Sequence, residues 1–316
     1  MFLSCRAVAS GVVGAAGLLF LFSCSAGLRE IPPDSPARYH NKRGLVYLRE
    51  GNATGAIAEF SRAVSLEPRY ADAHFNLGLV YYRKGLRTAA LVQFEKTLDI
   101  DPKYTEAYYR IGLIYHSRRD LKKASRAYRQ AIRYDPRHSR AHVSLGLAYE
   151  AMGKHKEAVS EFRQSIKINP LSVEARNSLG LALEKMGRLD QAIVEYQESA
   201  RVDPDNEGTY NLLGRALYEA RRHREAFSAW QKALEINPES LQVLFNVGWA
   251  RLDRGQVDQA IEAFKKVIAL NPDVALAHFY LGKAYKLKNM KDEAAEEWKR
   301  ARQLDPRLEL EMSSGS

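Results

Sequence analysis

Cysteine is nearly absent: the 316-residue chain has two, Cys5 and Cys24. That excludes a disulfide-stapled scaffold and a cysteine-built structural zinc site. The short signatures of catalysis are missing as well. No HExxH, GxSxG, Walker-type phosphate loop or zinc-spaced cysteine pair occurs. Paired acids such as Glu296-Glu297 fall on a helical surface pattern without a pocket around them. The sequence therefore points to a protein that is not an enzyme and implies no cofactor or metal. The longest uncharged apolar run, residues 7–22, is shorter than the about 20 residues that a membrane-spanning helix needs. Acid is scarce relative to base, with 38 Asp+Glu against 48 Lys+Arg and a net charge of +10. The imbalance is local: residues 37–170 hold 25 bases against 13 acids, and residues 171–308 hold 21 of each.

What is present is ordinary folded-protein composition, 46% hydrophobic and 27% charged. Its arrangement is not ordinary. Prolines stand at 68, 102, 136, 170, 204, 238, 272 and 306, always 34 residues apart and each after Asp, Asn or Glu. They divide the chain into units 37–70, 71–104, 105–138, 139–172, 173–206, 207–240, 241–274 and 275–308. Within every unit position 8 is glycine (Gly44 through Gly282), position 20 is alanine (Ala56 through Ala294) and position 24 is aromatic (Phe60 through Trp298). Apolar residues recur at the helical period inside a unit, as in the stretch AHFNLGLVYYRKGLRTAALVQFEKTLDIDP. Gly85, or its counterparts Gly51, Gly153, Gly187 and Gly255, breaks the run into two helices. A mid-helix glycine costs about 1 kcal/mol against alanine. Its presence at every position 8 implies a close helix crossing, with the position-20 alanine as the matching small surface and the position-24 aromatic filling the space beside them. A unit with two apolar faces cannot bury both alone, so neighbours must stack.

These positions resemble the tetratricopeptide repeat (TPR) family across 37–308. The resemblance implies an all-α fold, a right-handed solenoid of eight helix-turn-helix units. In that family the first helices line a concave groove, chiefly through positions 2, 5, 6, 9, 12 and 13, and bind peptide segments there. Carried onto this chain, those positions give Phe75, Asn76, Leu79, Tyr82, Tyr109, Arg110, Leu113, Asn177, Asn211, Tyr218, Phe245, Asn246, Trp249, Phe279, Tyr280 and Lys283. Aromatics are typical binding anchors, and asparagine amides can hold an extended backbone. The two-carboxylate clamp of chaperone-binding members, a Lys/Asn/Asn/Lys/Arg set, is not reproduced: Asn41, Asn76 and Arg110 match it in part, Leu45 does not, and Glu106 would repel a carboxylate. Position 4 holds His40, His74, His142 and His278, which read as structural rather than catalytic.

The chain start resembles a bacterial lipoprotein signal. Arg6 precedes the apolar run, which ends Leu21-Phe22-Ser23-Cys24; Phe22 departs from the usual small residue. The reading is a signal over 1–23, an acylated Cys24, a proline-containing tether over 24–36, and a short tail over 309–316. The tether reaches roughly 35–40 Å at about 3.1 Å per residue. Cleavage near Ser25-Ala26 would instead leave a free secreted protein. With Ser25 after the cysteine, the resemblance favours the outer membrane of a Gram-negative envelope, facing the periplasm.

The expected function is thus a membrane-anchored interaction scaffold with envelope proteins as partners. Pilus or secretin assembly (the pilotin type) comes first. A scaffold of a peptidoglycan or exopolysaccharide machine, or a glycan-binding component, is the alternative. The basic N-terminal half, densest from Arg118 to Arg137, is either a solvated face or a contact for an anionic membrane surface; nucleic acid is not implied. Only ten residues follow Pro306, too few for a covering helix of ordinary length. An apolar face around Ala294, Trp298 and Ala301 is therefore expected to stand partly open and to favour self-association.

Overall fold

The computed structural model describes Pro32 and residues 35–308; the expected signal, Cys24 and the tail lie outside the described residues. The described chain is helical throughout, with no strand among the described residues. Sixteen α-helices follow one another in pairs: α1 (Pro36–Arg49), α2 (Ala53–Leu66), α3 (Ala71–Arg83), α4 (Arg87–Ile100), α5 (Thr105–Ser117), α6 (Leu121–Tyr134), α7 (Ser139–Ala151) and α8 (His155–Ile168), then α9 (Val173–Lys185), α10 (Leu189–Val202), α11 (Glu207–Glu219), α12 (His223–Ile236), α13 (Leu241–Asp253), α14 (Val257–Leu270), α15 (Ala275–Leu287) and α16 (Lys291–Leu304). A 3₁₀ turn, Pro306–Leu308, closes the described chain.

Each pair crosses at its glycine. A methyl group at any position-8 glycine would come closer than 3.0 Å to the position-24 ring of the same unit; at Gly146 it would stand 2.5 Å from Phe162. The ring, rather than the position-20 alanine alone, is what the glycine admits. Phe60, Phe94, Tyr128, Phe162, Tyr196, Trp230 and Phe264 are all buried there. Five turns pass through a left-handed glycine, such as Gly153 at φ 72°, while Arg119, Arg221 and Asn289 take the same conformation in the other three. In all units but the first, the acid or amide before the proline has a local task. Asp101, Asp135, Asn169, Asp203, Asn237, Asn271 and Asp305 each accept the backbone N–H two residues on, stopping the second helix ahead of the next unit.

Units are stapled through position 4. His142 Nδ1 lies 2.7 Å from Glu161 on the paired helix, and Nε2 lies 3.1 Å from the Pro136 carbonyl of the preceding unit. His74 and His278 bridge the same way, to Gln93 and Pro68 and to Glu297 and Pro272. Arg176 repeats the bridge with its guanidinium, on Glu195 and the Pro170 carbonyl. The histidines are thus structural. Burial would lower the His142 pKa, but its bonds to Glu161 and Pro136 outweigh that and raise it above the usual histidine value.

The C-terminal end differs from expectation. Ala294 and Ala301 are buried within their own unit, Trp298 donates its indole N–H to the Phe279 carbonyl, and Leu308 is buried beside them. These residues face inward because positions 20, 24 and 27 close the unit on itself. The side that would meet a following unit is set by position 28. It is Val64, Leu98, Ile132, Ile166, Ala200, Leu234 and Ile268 in the first seven units but Arg302 in the eighth. The outer side of α16 is therefore mostly polar among the described residues, with Lys291, Lys299 and Arg302 exposed around Ala295, in place of the expected apolar face around Ala294, Trp298 and Ala301.

Two outcomes test this packing. Gly146→Ala should destabilise by about 1–3 kcal/mol despite its better helix propensity, because Phe162 must move; Arg221→Gly should stabilise by about 1 kcal/mol by relieving a left-handed non-glycine. Urea unfolding measures both. The raised His142 pKa means that the folded state holds this proton more tightly than the unfolded chain. That stabilisation is complete below about pH 6.5 and is lost as pH rises through the folded value. His142→Ala should accordingly cost about 1–3 kcal/mol near pH 5.5 and less near pH 8.5.

Candidate functional site

Curvature decides which surface is available. Odd-numbered helices pack on the next odd-numbered helix along most of the array, and even-numbered helices show no comparable mutual packing. The odd helices therefore form the inner, concave wall. The aromatics at position 5 turn largely away from this wall. Phe75 is buried against Phe94 and Tyr104 at ring distances of 5.5 and 4.9 Å. Tyr109 is buried against Tyr128 and His138, and Phe279 is fully buried against Ala301 and Leu308. These three are core residues, contrary to the sequence expectation, because position 5 points at the position-24 ring of its own unit. Asn211, also at position 5, is buried and accepts the Asn246 amide at 2.9 Å.

The asparagines form a ladder between units. Asn76 donates to Asn41, Asn246 to Asn211, and Asn177 to Thr209. Their amide N–H groups join neighbouring helices instead of waiting for a ligand. Charged rungs continue the ladder on the same wall: Lys185 to Glu150, and Arg215 to Glu184. Tyr218 is buried, and its hydroxyl donates to Asp253 at 2.6 Å. Burial and that carboxylate push the Tyr218 phenol up to about 12, so it acts as a fixed donor and not as an open contact. Arg110 is paired with Glu106 at 2.8 Å, and His138 and Arg140 reach the same carboxylate. Burial would raise the Glu106 pKa, but the His138 hydrogen bond and the charges of Arg110 and Arg140 hold it below the usual value. Unit three therefore presents a neutralised wall.

Leu79 and Tyr82 are half-buried, packed on the core of units two and three. Leu113 is half-buried likewise. Of the expected groove residues, those that stay open gather in the last two units; in the first unit Lys42 and Leu45, at positions 6 and 9, are also exposed. Trp249 is 40% exposed and Lys283 is exposed, its ammonium 4.6 Å from the Phe279 ring centre and 5.4 Å from that of Tyr280. Phe245 and Tyr280 are half-buried and touch edge to face at 5.6 Å. Two adjoining clefts flank Trp249. One, of about 460 Å³, is lined by Arg215, Arg221, Asn246 and Asp253; the other, of about 620 Å³, by Leu252, Tyr280, Lys283 and Leu287. A third cleft, of about 510 Å³, opens around Phe227 and Arg251. It lies where α12 and α13 pack over less of their length than the other unit junctions do. Position 11 there is Arg251, where five of the other units have tyrosine and two have leucine.

Sequence reasoning missed Arg215, Asp253 and Leu287 as wall residues. Each occupies one of the six groove positions, so scanning those positions for charge as well as aromatics would have found them. Arg221 lies outside the six and carried no signal.

Tetratricopeptide-repeat family models match residues 44–85, 185–220 and 248–289, residues 109–172, residues 208–240 and 275–308, residues 161–194, and residues 71–104. No curated protein sequence matches significantly. Among solved structures, a tetratricopeptide repeat protein from Parabacteroides merdae is 17% identical with a TM-score of 0.58, covering 79% of this chain and 98% of that one. The pilF structure of Pseudomonas aeruginosa is 22% identical with a TM-score of 0.58, covering 66% of this chain and 95% of that one. YrrB, described as a TPR protein with an unusual peptide-binding site, is 22% identical with a TM-score of 0.52, covering 58% and 95%. At these identities the likeness is one of fold.

The open wall predicts a simple ranking. Trp249→Ala should leave unfolding within about 0.5 kcal/mol of the parent, as expected of an exposed side chain. Phe279→Ala should cost about 3–5 kcal/mol. Thermal unfolding compares them.

Proposed function

We propose, on the premise that the chain belongs to the tetratricopeptide repeat family, that it is a non-enzymatic scaffold that binds a peptide segment on its concave wall at units six to eight. The observation that carries this is Trp249, a large aromatic left exposed between two clefts on a wall whose other polar groups are mostly bonded to one another. The amphipathic indole is an anchor of the kind that dominates peptide and protein recognition. Asn246 gives its N–H to Asn211 and keeps its carbonyl for a ligand backbone N–H. YrrB, of the same fold, is itself described as peptide-binding.

The finer reading follows from the sequence. A lipid on Cys24 would hold the scaffold at the outer membrane of a Gram-negative envelope, facing the periplasm, where pilus or secretin assembly is the process we favour. The lipobox-like run Leu21-Phe22-Ser23-Cys24 ahead of the repeat units supports it. No described helix is long and apolar enough to cross a membrane, and an acyl anchor needs none.

The full chain should bind members of an array of overlapping peptides from envelope proteins, and Trp249→Ala should weaken that binding about 30-fold or more, the range of an interface anchor. Binding unchanged by Trp249→Ala, or retention of oligosaccharides in place of peptides, would refute the peptide reading. Separately, labelled fatty acid should enter the native chain in cells and not the Cys24→Ala variant.

A further inference from the structure

The second helix of the third unit carries a feature that no other unit repeats in full. Lys122, Arg126, Arg129 and Arg133 stand at i, i+4, i+7 and i+11 of α6, so they form one row along a single helix face. At 1.5 Å rise per residue the row is about 16 Å long. Arg119 and Arg137 extend it beyond both helix ends, and all six residues are exposed. The equivalent positions of the fifth unit read Asp190, Val194, Gln197 and Arg201, and those of the seventh read Asp258, Glu262, Lys265 and Ala269. Only the fourth unit comes near, with Lys156, Arg163 and Lys167 exposed on α8.

Most of the acids on α6, α7 and α8 and in their turns are engaged elsewhere. Asp120 caps α6 and pairs with Lys123, Asp135 accepts the Arg137 backbone N–H, and Glu161 is held by His142. Glu150 takes His155 and Lys185. Glu157, exposed on α8, is the remaining carboxylate of that helix. Like charges at i, i+4 spacing cost helix stability, so the row opposes the fold instead of supporting it. Beside the row lies a cleft of about 450 Å³ with Tyr149 and Met152 at its apolar part and Lys122, Arg126, Arg129 and Lys154 around it. A cationic rim over an apolar floor suits an amphiphile that carries a phosphate at one end.

We propose that this outer face of α6, with α8 beside it, docks on a membrane surface of anionic phospholipid, the row lying along the headgroup phosphates and the cleft taking one headgroup with the start of its acyl chains. The face is built from even-numbered helices and leaves the concave wall free. It requires neither the peptide reading nor an acyl group on Cys24.

The test is sedimentation of the full chain with phosphatidylcholine vesicles and with vesicles of phosphatidylcholine and phosphatidylglycerol at 3:1. The ratio of the two partition coefficients cancels any anchoring that is independent of charge. The combined Lys122→Gln, Arg126→Gln, Arg129→Gln and Arg133→Gln variant should lower this ratio about 30-fold or more, since each cation near an anionic surface contributes substantially. The combined Lys265→Gln, Lys266→Gln, Lys291→Gln and Lys299→Gln variant removes the same charge elsewhere and should leave most of the ratio intact. The row variant should unfold no more easily than the parent, which separates lost docking from lost structure. A ratio unchanged in the row variant, or an equal fall in the control, would overturn the proposal. So would displacement of the native chain from vesicles by duplex DNA at a lower phosphate concentration than the vesicles present.

Discussion

An aromatic ring laid on a glycine backbone is the contact on which the rest of the array depends. In each of the eight units the position-24 ring occupies the space that a position-8 side chain would need. The ring thereby fixes how closely the two helices of a unit approach. Because the same contact recurs in all eight units, the units also share a shape. Equal units related by equal steps build a curved array without any long-range instruction in the sequence.

That curvature has a chemical consequence. It brings odd-numbered helices near enough for side chains of successive units to bond, and they do so through Asn76–Asn41, Arg215–Glu184, Asn246–Asn211 and Tyr218–Asp253. Most of the concave wall is therefore satisfied within the protein and stiffened by it. The large aromatic that this wall leaves exposed is Trp249, which stands beside the ladder between two clefts at units six to eight. The basic row on α6 belongs to the opposite layer and faces away from this wall.

The fold was legible because its determinants are local and repeated: a glycine, an alanine, an aromatic and a proline at fixed offsets in 34 residues. The wall was legible only in part. Positions assigned by family resemblance carry no information on which way a side chain turns, and Phe75, Tyr109 and Phe279 turn inward onto their own unit's ring. Nor does a single unit reveal bonds to its neighbour. Asn211 and Tyr218 left the accessible wall because partners 35 residues away, Asn246 and Asp253, claim them. The expected open C-terminal face fails for a related reason: Ala294, Trp298 and Ala301 close the unit itself, whereas the outward position is Arg302.

The most direct measurement is photo-cross-linking in living cells with the full chain, keeping Trp249 and placing the cross-linking residue in turn at Leu287, which lines the cleft beside it, at Leu79 and at Lys299, followed by mass spectrometry of the adducts. The account predicts adducts with extended segments of envelope proteins at Leu287 and none above background at Leu79 or Lys299. Adducts concentrated at Leu79 or Lys299, with Leu287 silent, would contradict a ligand-binding wall at units six to eight.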